Sequence, residues 1–276
     1  RMTSYQNPIP LLDTVEYIRD STLPPIFQEK HYEKDFQLAK DFILQYTGSE
    51  GTFRAYRREL ERLLQWTWIV AKKTLTELKR LDIEKYIHFC QAPPKRWIGF
   101  KRVAKFINTP DGLRKPNPVW RLFVCSVSKS AFKNGERAEK ANYQLSQKAV
   151  REIFTILSSF YTHLNNEGIM DINPVLLIRQ KSKYFTKQQT SPVIPKLSEH
   201  VWKSCVNTAK EMAKLNPSKH ERTLFIISAL YLLYLRISEL AASPRWEPLM
   251  NHFFKDPNDY WWFITLGKGN KQRTIT

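Results

Sequence analysis

The sequence predicts a mainly α-helical chain in two domains, the second of which closes with a small antiparallel sheet. Three observations predict it. Apolar residues recur at three- and four-residue spacing through residues 31–166 and again through 198–235, the pattern of helices that bury one face. After residue 240 the pattern changes to short runs that read as strands, joined by Asp256-Pro257-Asn258-Asp259 and by Gly267-Lys268-Gly269-Asn270-Lys271-Gln272. Between the two regions, residues 172–198 contain no acid, five cations and the two prolines Pro192 and Pro195, which marks a basic linker.

Taken in order, residues 1–26 form a Pro-rich arm, in which Pro8, Pro10, Pro24 and Pro25 block long helices; it either packs on the body or stays loose. A helix over 31–46 follows, carried by Phe36, Leu38, Ala39, Phe42, Ile43 and Tyr46 and stopped by Gly48. A second helix over 52–68 places Phe53, Tyr56, Leu60, Leu63 and Leu64 in one stripe and Arg54, Arg58 and Arg62 on the other side. That cationic face is either solvated, with Glu50, Glu59 and Glu61 offsetting it, or a DNA contact. A third helix is expected from Thr76, as N-cap, to Cys90, with Leu78, Leu81, Ile83, Tyr86 and Ile87 on its apolar side, ended by Pro93-Pro94. Residues 95–133 then carry ten cations and one acid, half of the chain's whole excess. Trp97, Phe100, Phe106, Trp120, Phe123 and Phe132 interleave with those cations, as expected where an aromatic core braces a basic surface. Pro110, Pro116 and Pro118 mark a long loop within it.

A longer helix over 146–166 buries Val150, Ile153, Phe154, Leu157, Phe160, Tyr161 and Leu164, and shows Lys148, Arg151, Thr155, Ser158 and Thr162 on its other face. Cations and hydroxyls on one face suit phosphate oxygens. Helices over 198–215 and from about residue 220 open the second domain, and strands are expected at 249–254, 260–266 and 273–276. The resulting organisation is an arm at 1–26, a helical domain at 27–175 with a basic insert at 93–143, a linker at 176–197 and a second domain at 198–276.

Composition bounds the function. The 276 residues carry 44 Lys plus Arg against 26 Asp plus Glu, a formal net charge of +18, and 42% hydrophobic residues, so the chain is no disordered basic tail. Cys90, Cys125 and Cys205 lie far apart without CxxC spacing, which indicates neither a disulfide framework nor a zinc module. The longest apolar stretch, 224–235, falls short of the roughly 18–20 residues needed to cross a bilayer and reads as a buried core helix. Residues 1–20 mix Pro, Asp and Glu where a signal peptide would be apolar. The expectation is a soluble, intracellular protein whose charge needs an anionic partner.

Two places carry chemistry. Arg236 leaves an almost wholly apolar helix, and a guanidinium there must find an anion or sit in water; Glu239, three residues on, is the internal partner it could take. Lys268 sits between glycines that let a ligand approach closely, or else decorates a solvated hairpin tip. Neither a P-loop nor a GxGxxG fingerprint is present.

Together and in this order, Leu230-Tyr231-Leu232-Leu233-Tyr234-Leu235-Arg236-Ile237-Ser238-Glu239-Leu240 and Gly267-Lys268-Gly269-Asn270-Lys271-Gln272-Arg273 resemble the first catalytic box and the β-hairpin lysine of the tyrosine recombinase (phage integrase) family. Thr52-Phe53-Arg54-Ala55-Tyr56-Arg57-Arg58-Glu59-Leu60, Leu75-Thr76-Glu77-Leu78 with Asp82-Ile83-Glu84-Lys85-Tyr86, and Glu167-Gly168-Ile169-Met170-Asp171-Ile172-Asn173-Pro174 are similar to its core-binding domain. The resemblance covers residues 27–276 apart from the insert. It implies a helical, SAM-like core-binding domain followed by an α+β catalytic-domain fragment with a small antiparallel sheet.

For function, the resemblance implies a site-specific DNA recombinase or integrase of mobile DNA that binds double-stranded DNA and breaks and rejoins strands through a 3′-phosphotyrosyl link. Arg236 would clamp the scissile phosphate, Lys268 would protonate the leaving 5′-oxygen, and Glu239 would orient the arginine box. The expected DNA contacts are Arg54, Arg57, Arg58, Lys95, Arg96, Lys101, Arg102, Lys129, Lys133, Lys148, Arg151, Thr155, Lys181 and Lys183. No metal or other cofactor is required and no membrane is involved, whereas self-association into a synaptic tetramer on DNA, in a bacterial nucleoid setting, is implied. Two departures stand out. Tyr234 occupies a place where the family usually has Gly, and the later boxes and the nucleophilic Tyr should follow the hairpin. The expectation is therefore a chain that binds DNA without cleaving it; the alternative is a non-catalytic, architectural or regulatory DNA-binding protein.

Overall fold

Wherever apolar residues repeat at three and four, the chain is helical. The computed structural model describes residues 5–178, 181–184, 197–243, 246–267 and 271–276, and the chain divides into two units, Arg1–Gln189 and Thr190–Thr276. Among the described residues the first unit contains α1 (Lys30–Leu44), α2 (Glu50–Trp66), α3 (Arg80–Gln91), the short α4 (Lys129–Lys133) and α5 (Gln147–Asn166). Four short strands, β1 (Ile98–Gly99), β2 (Phe106–Asn108), β3 (Arg114–Pro116) and β4 (Phe123–Val124), lie between α3 and α4. The second unit contains α6 (Glu199–Leu215), α7 (Pro217–Leu232), the one-turn α8 (Ile237–Leu240), and β5 (Phe253–Lys255), β6 (Trp261–Leu266) and β7 (Gln272–Ile275). The protein is thus mainly α with small sheets.

The core of the first unit is built on α1, α2 and α5. Every apolar residue expected to be buried on α5 is buried, and Ile156 joins them. The helix starts where Ser146 Oγ accepts the Ala149 N–H at 3.2 Å and stops at Gly168, whose φ of +68° is left-handed. Phe42 of α1 meets Phe160 of α5 edge-on at 5.3 Å and stacks on Tyr56 of α2 at 5.5 Å. Each such buried ring contributes roughly 1.5–3 kcal/mol, so this aromatic seam outweighs any surface ion pair in holding the three helices together.

α2 runs into a π-helical turn, Thr67–Ala71, which ends at Lys72 with φ +54°. The third helix differs from expectation. Thr76 is not its N-cap: Thr74 and Glu77 cap a separate 3-10 turn, Leu75–Glu77, and the chain is extended at Leu78 and Lys79. α3 then begins at Arg80, with the Asp82 carboxylate accepting the Lys79 N–H at 2.9 Å. The break keeps Leu78 buried but turns Leu81 to the surface, because the two residues no longer share one helical phase.

The arm packs on the body. Leu11, Leu12, Ile18 and Leu23 belong to the same core as α5. Its backbone is tied to α2: Leu11 N–H and Leu12 N–H donate to Glu61 Oε1 at 2.6 and 3.3 Å, and Ile9 exchanges both of its backbone hydrogen bonds with the Gln65 amide. Segment 176–197 is also not linker throughout, since Ile178 and Tyr184 are buried in this core.

The insert, expected to hold a long loop, carries two small ladders. β1 pairs in parallel with β4, Ile98 opposite Phe123, and β2 pairs antiparallel with β3, Asn108 opposite Arg114. Strands of two or three residues are too short to leave a period-two signal in the sequence. Trp97, Trp120 and Phe123 are core residues, whereas Phe100 and Phe132 are exposed.

In the second unit, α6 starts at the Ser198 cap and packs on α7, with Trp202 and Tyr231 stacked at 3.7 Å. The three strands lie in the order β5-β6-β7, all antiparallel, with Phe253 opposite Phe263 and Leu266 opposite Gln272. The stretch 224–235 is not the buried helix expected of it. Of its residues only Ala229 and Leu235 are buried, while Leu232 is 63% and Tyr234 83% exposed, because the core of this unit is small and centres on Ala229, Leu235 and Phe263.

One buried acid locks α1 to the π turn. Asp35 Oδ2 accepts the Trp68 indole N–H and the Leu75 N–H, each at 2.9 Å. Burial pushes its carboxyl up to about 6 from an ordinary 3.8, against the pull of those two donors. The folded state therefore holds this proton more tightly than the unfolded chain, and the contribution to stability is greatest below about pH 4 and declines as pH rises to about 6. Asn at this position keeps one oxygen for both donors without the charge. Asp35→Asn is expected to raise the melting temperature relative to the parent at pH 7.5 and to lose that advantage at pH 4; an equal difference at both pH values contradicts the assignment.

Candidate nucleic-acid interface and phosphate site

The second unit brings together two motifs some thirty residues apart. α7 ends just before Tyr234, whose φ of +48° lies in the left-handed region that favours glycine, and the chain then turns so that Arg236 caps α8. Glu239, at the third position of that helix, reaches back: its Oε2 accepts the Arg236 N–H at 2.8 Å and its Oε1 accepts Arg236 Nη1–H at 2.9 Å. From β7, Arg273 adds a fork, Nε–H to Oε1 at 3.1 Å and Nη2–H to Oε2 at 2.5 Å, and a further bond to the Tyr234 carbonyl at 3.4 Å.

Glu239 is fully buried, yet the Arg236 side chain remains 63% exposed. One edge of the guanidinium is fixed by the carboxylate and the rest faces solvent, which is a preorganised cation for an arriving anion. Gly267, at the base of the β6–β7 hairpin, lies against this pair, and a Cβ there would stand 3.2 Å from Glu239 Oε1 and 3.8 Å from Arg236 Nη1. Only a residue without a side chain fits that approach comfortably. Burial opposes ionisation of Glu239, but the Arg236 N–H and the two guanidiniums prevail and hold its carboxyl below the usual glutamate value. Lys268 lies outside the described residues, in the connection between β6 and β7.

A second cationic site lies in the first unit. A cavity of about 670 Å³ is lined by nine cations and four acids, drawn from the arm, from α2, from the insert and from the start of α5. α2 supplies Arg54, Arg57, Arg58 and Arg62; the insert supplies Lys101, Arg102, Lys105, Arg114 and Arg121. The α2 face is solvated at its start, where Arg54 pairs with Glu50, but Glu59 and Glu61 are buried. Glu59 takes Arg58 at 2.6 Å and Arg62 at 3.1 Å, Glu152 of α5 takes Arg58 at 2.9 Å, Glu61 takes Lys105, and Asp13 of the arm takes Arg114.

Of the expected DNA contacts, Arg54, Arg57, Arg58, Lys101 and Arg102 line this cavity. Lys95, Arg96, Lys129, Lys133, Lys148, Arg151 and Thr155 are exposed elsewhere on the unit, with Arg96 donating to the Tyr5 carbonyl and the Thr155 hydroxyl to Arg151 O of its own helix. Lys183 pairs with Glu84 of α3 at 3.0 Å, and the Lys181 side chain lies outside the described residues. Sequence reasoning did not select Arg62, Lys105, Arg114 or Arg121 for the cavity, nor Arg273 for the Glu239 cluster. Arg273 carried a signal, as it closes the quoted hairpin motif; the others depend on which loop folds over α2, and no local spacing states that.

Comparison with protein-family models, with curated proteins and with solved structures found no match. Among the described residues no group of three or more His, Cys, Asp or Glu could hold a metal ion, and no helix is long and apolar enough to cross a membrane.

The Glu239 cluster generates a stability test. Because its folded carboxyl is held below the ordinary value, its contribution is complete above about pH 4.5 and is lost as pH falls through the lowered folded value. Glu239→Gln keeps the shape but leaves two guanidiniums facing an amide, and is expected to cost about 1–3 kcal/mol at pH 7, less in acid. Urea denaturation at pH 7 and pH 3.5, followed by Trp fluorescence, checks this; an unchanged midpoint at pH 7 contradicts it.

Proposed function

We propose that this chain binds double-stranded DNA as part of a site-specific recombinase of the tyrosine recombinase type, and that Arg236 meets a backbone phosphate. The observation that carries the reading is the meeting of the arginine box and the hairpin base around one buried carboxylate. Glu239 fixes Arg236 and Arg273 together, and Gly267 lies against them. Two arginines gathered on one carboxylate suit a phosphodiester, whose non-bridging oxygens accept planar guanidinium donors and whose leaving oxygen needs a proton.

In this reading Arg236 stabilises charge on the transferring phosphoryl group, Glu239 positions Arg236 without touching the DNA, and Lys268 serves as the general acid. The chemistry uses a tyrosine nucleophile and conserves the bond as a 3′-phosphotyrosyl link, so it calls for no metal or nucleotide. Self-association on DNA belongs to the same proposal. The chain's net charge of +18 supports the choice of an anionic partner.

Titration of a labelled duplex by fluorescence anisotropy at a series of salt concentrations tests the reading. The logarithm of the binding constant should fall linearly with the logarithm of salt, and Arg236→Ala should reduce the slope by about one phosphate's worth. Displacement of the duplex by anionic vesicles or structured RNA at physiological salt overturns it.

A further inference from the structure

The cavity of the first unit contains a half-buried cation that has no ion-pair partner among the described residues. Arg57 projects from α2, and its Nε and Nη1 are inaccessible to solvent and make no hydrogen bond. Its guanidinium lies 5.7 Å from the centre of the Phe53 ring, a contact that satisfies no N–H donor. The neighbours differ. Arg58 and Arg62 share Glu59, Lys105 holds Glu61, and Arg114 holds Asp13. Arg121 donates to the carbonyls of Pro118 and Trp120, which accept hydrogen bonds but neutralise no charge. Lys101 and Arg102 are exposed and form no ion pair among the described residues.

A guanidinium cannot shed its proton to escape this situation. Burying polar donors without acceptors is costly, and a native structure that retains such a group asks for an explanation. Burial lowers the Arg57 pKa, and the attraction of Asp13 and Glu16, opposed by Arg54 and Arg114, does not offset it. In the free protein the charge is thus unfavourable where it stands.

The geometry points to a phosphate group as the absent partner: Arg57 is the half-buried anchor of a phosphate-binding site in this cavity, with Lys101 and Arg102 as its exposed cations. Four lining cations, Arg57, Lys101, Arg102 and Arg121, have no carboxylate partner among the described residues, which matches a multiply charged anion better than a single carboxylate. The planar fork of Arg57 fits two phosphate oxygens at once. A cavity of about 670 Å³, walled on one side by Trp120 and Phe106, is larger than one phosphate requires and falls in the range of small-molecule sites. The phosphate could therefore belong to a nucleic-acid backbone or to a free oligophosphate. The inference goes beyond the recombinase reading and stands without it.

Two variants of the full chain test it, with pyrophosphate and a labelled duplex as probes at constant ionic strength. Arg57→Met keeps the unbranched stem of the side chain and removes the unpaired donors; it is expected to raise the melting temperature of the unliganded protein by about 2–4 °C. The parent should be stabilised saturably by pyrophosphate, and Arg57→Met should lose that response. Lys101→Ala with Arg102→Ala lies at exposed positions, should leave the unliganded melting temperature unchanged, and should weaken pyrophosphate binding at least tenfold. If Arg57→Met also lowers the salt slope for duplex binding by about one, the bound phosphate is a backbone phosphodiester; an unchanged slope with a lost pyrophosphate response assigns a free oligophosphate. Pyrophosphate binding without duplex binding supports this site while removing the proposed function. Parent-like affinity of Arg57→Met for both probes overturns the site.

Discussion

The first unit depends on a carboxylate placed where carboxylates are expensive. Glu61 is fully buried on α2, and moving such a charge out of water costs several kcal/mol unless donors converge on it. Three do: the backbone N–H groups of Leu11 and Leu12 from the arm, and Lys105 from the insert. These segments are far apart in sequence and neither forms a long element of its own. Glu61 makes them structurally interdependent, since withdrawal of either leaves the charge under-satisfied. The arm, α2 and the insert also wall the cationic cavity, together with the start of α5, so the buried carboxylate holds three of its four walls in place.

Glu239 repeats the logic in the second unit on a smaller scale. It too is a buried carboxylate, and it joins a one-turn helix to a β-hairpin through two guanidiniums. With a small apolar core around Ala229, Leu235 and Phe263, polar convergence carries a larger share of the local specificity there than in the first unit. Two arginines keep unused donors: Arg236, whose side chain stays 63% exposed beside Glu239, and Arg57, which forms no ion pair among the described residues. Neither has to give up an internal ion pair to meet an anion, which favours preorganised binding.

The long helices were legible because burial imposes a period of 3.6 on them: α5 reads residue for residue, with its Ser146 cap and Gly168 stop. The hairpin β6–β7 was legible from its turn chemistry. The arm was left open between packing and looseness because what fixes it is a contact with Glu61 across about fifty residues, and distance in space leaves no local mark. The break at Leu78 and Lys79 was hidden because Thr74, Thr76 and Asp82 offer competing caps and only tertiary packing chooses among them. For the candidate sites, Arg236 and Glu239 were readable as an i, i+3 pair at the end of an apolar run. Glu59 and Glu61 read as surface charges because a sequence shows the acid but not the arm and insert that cover it, and for the same reason only Lys101 and Arg102 of the insert's share of the cavity were read.

The interdependence of arm and insert through Glu61 can be measured directly by native-state hydrogen exchange of the full chain, comparing the parent with Glu61→Gln. The account predicts that the amides of Leu11 and Leu12 and the ladder amides of the insert, among them Asn117 and Cys125, lose protection together, while Leu157 and Phe160 in the middle of α5 keep theirs. Loss of protection in the arm alone, with the insert unchanged, would contradict it.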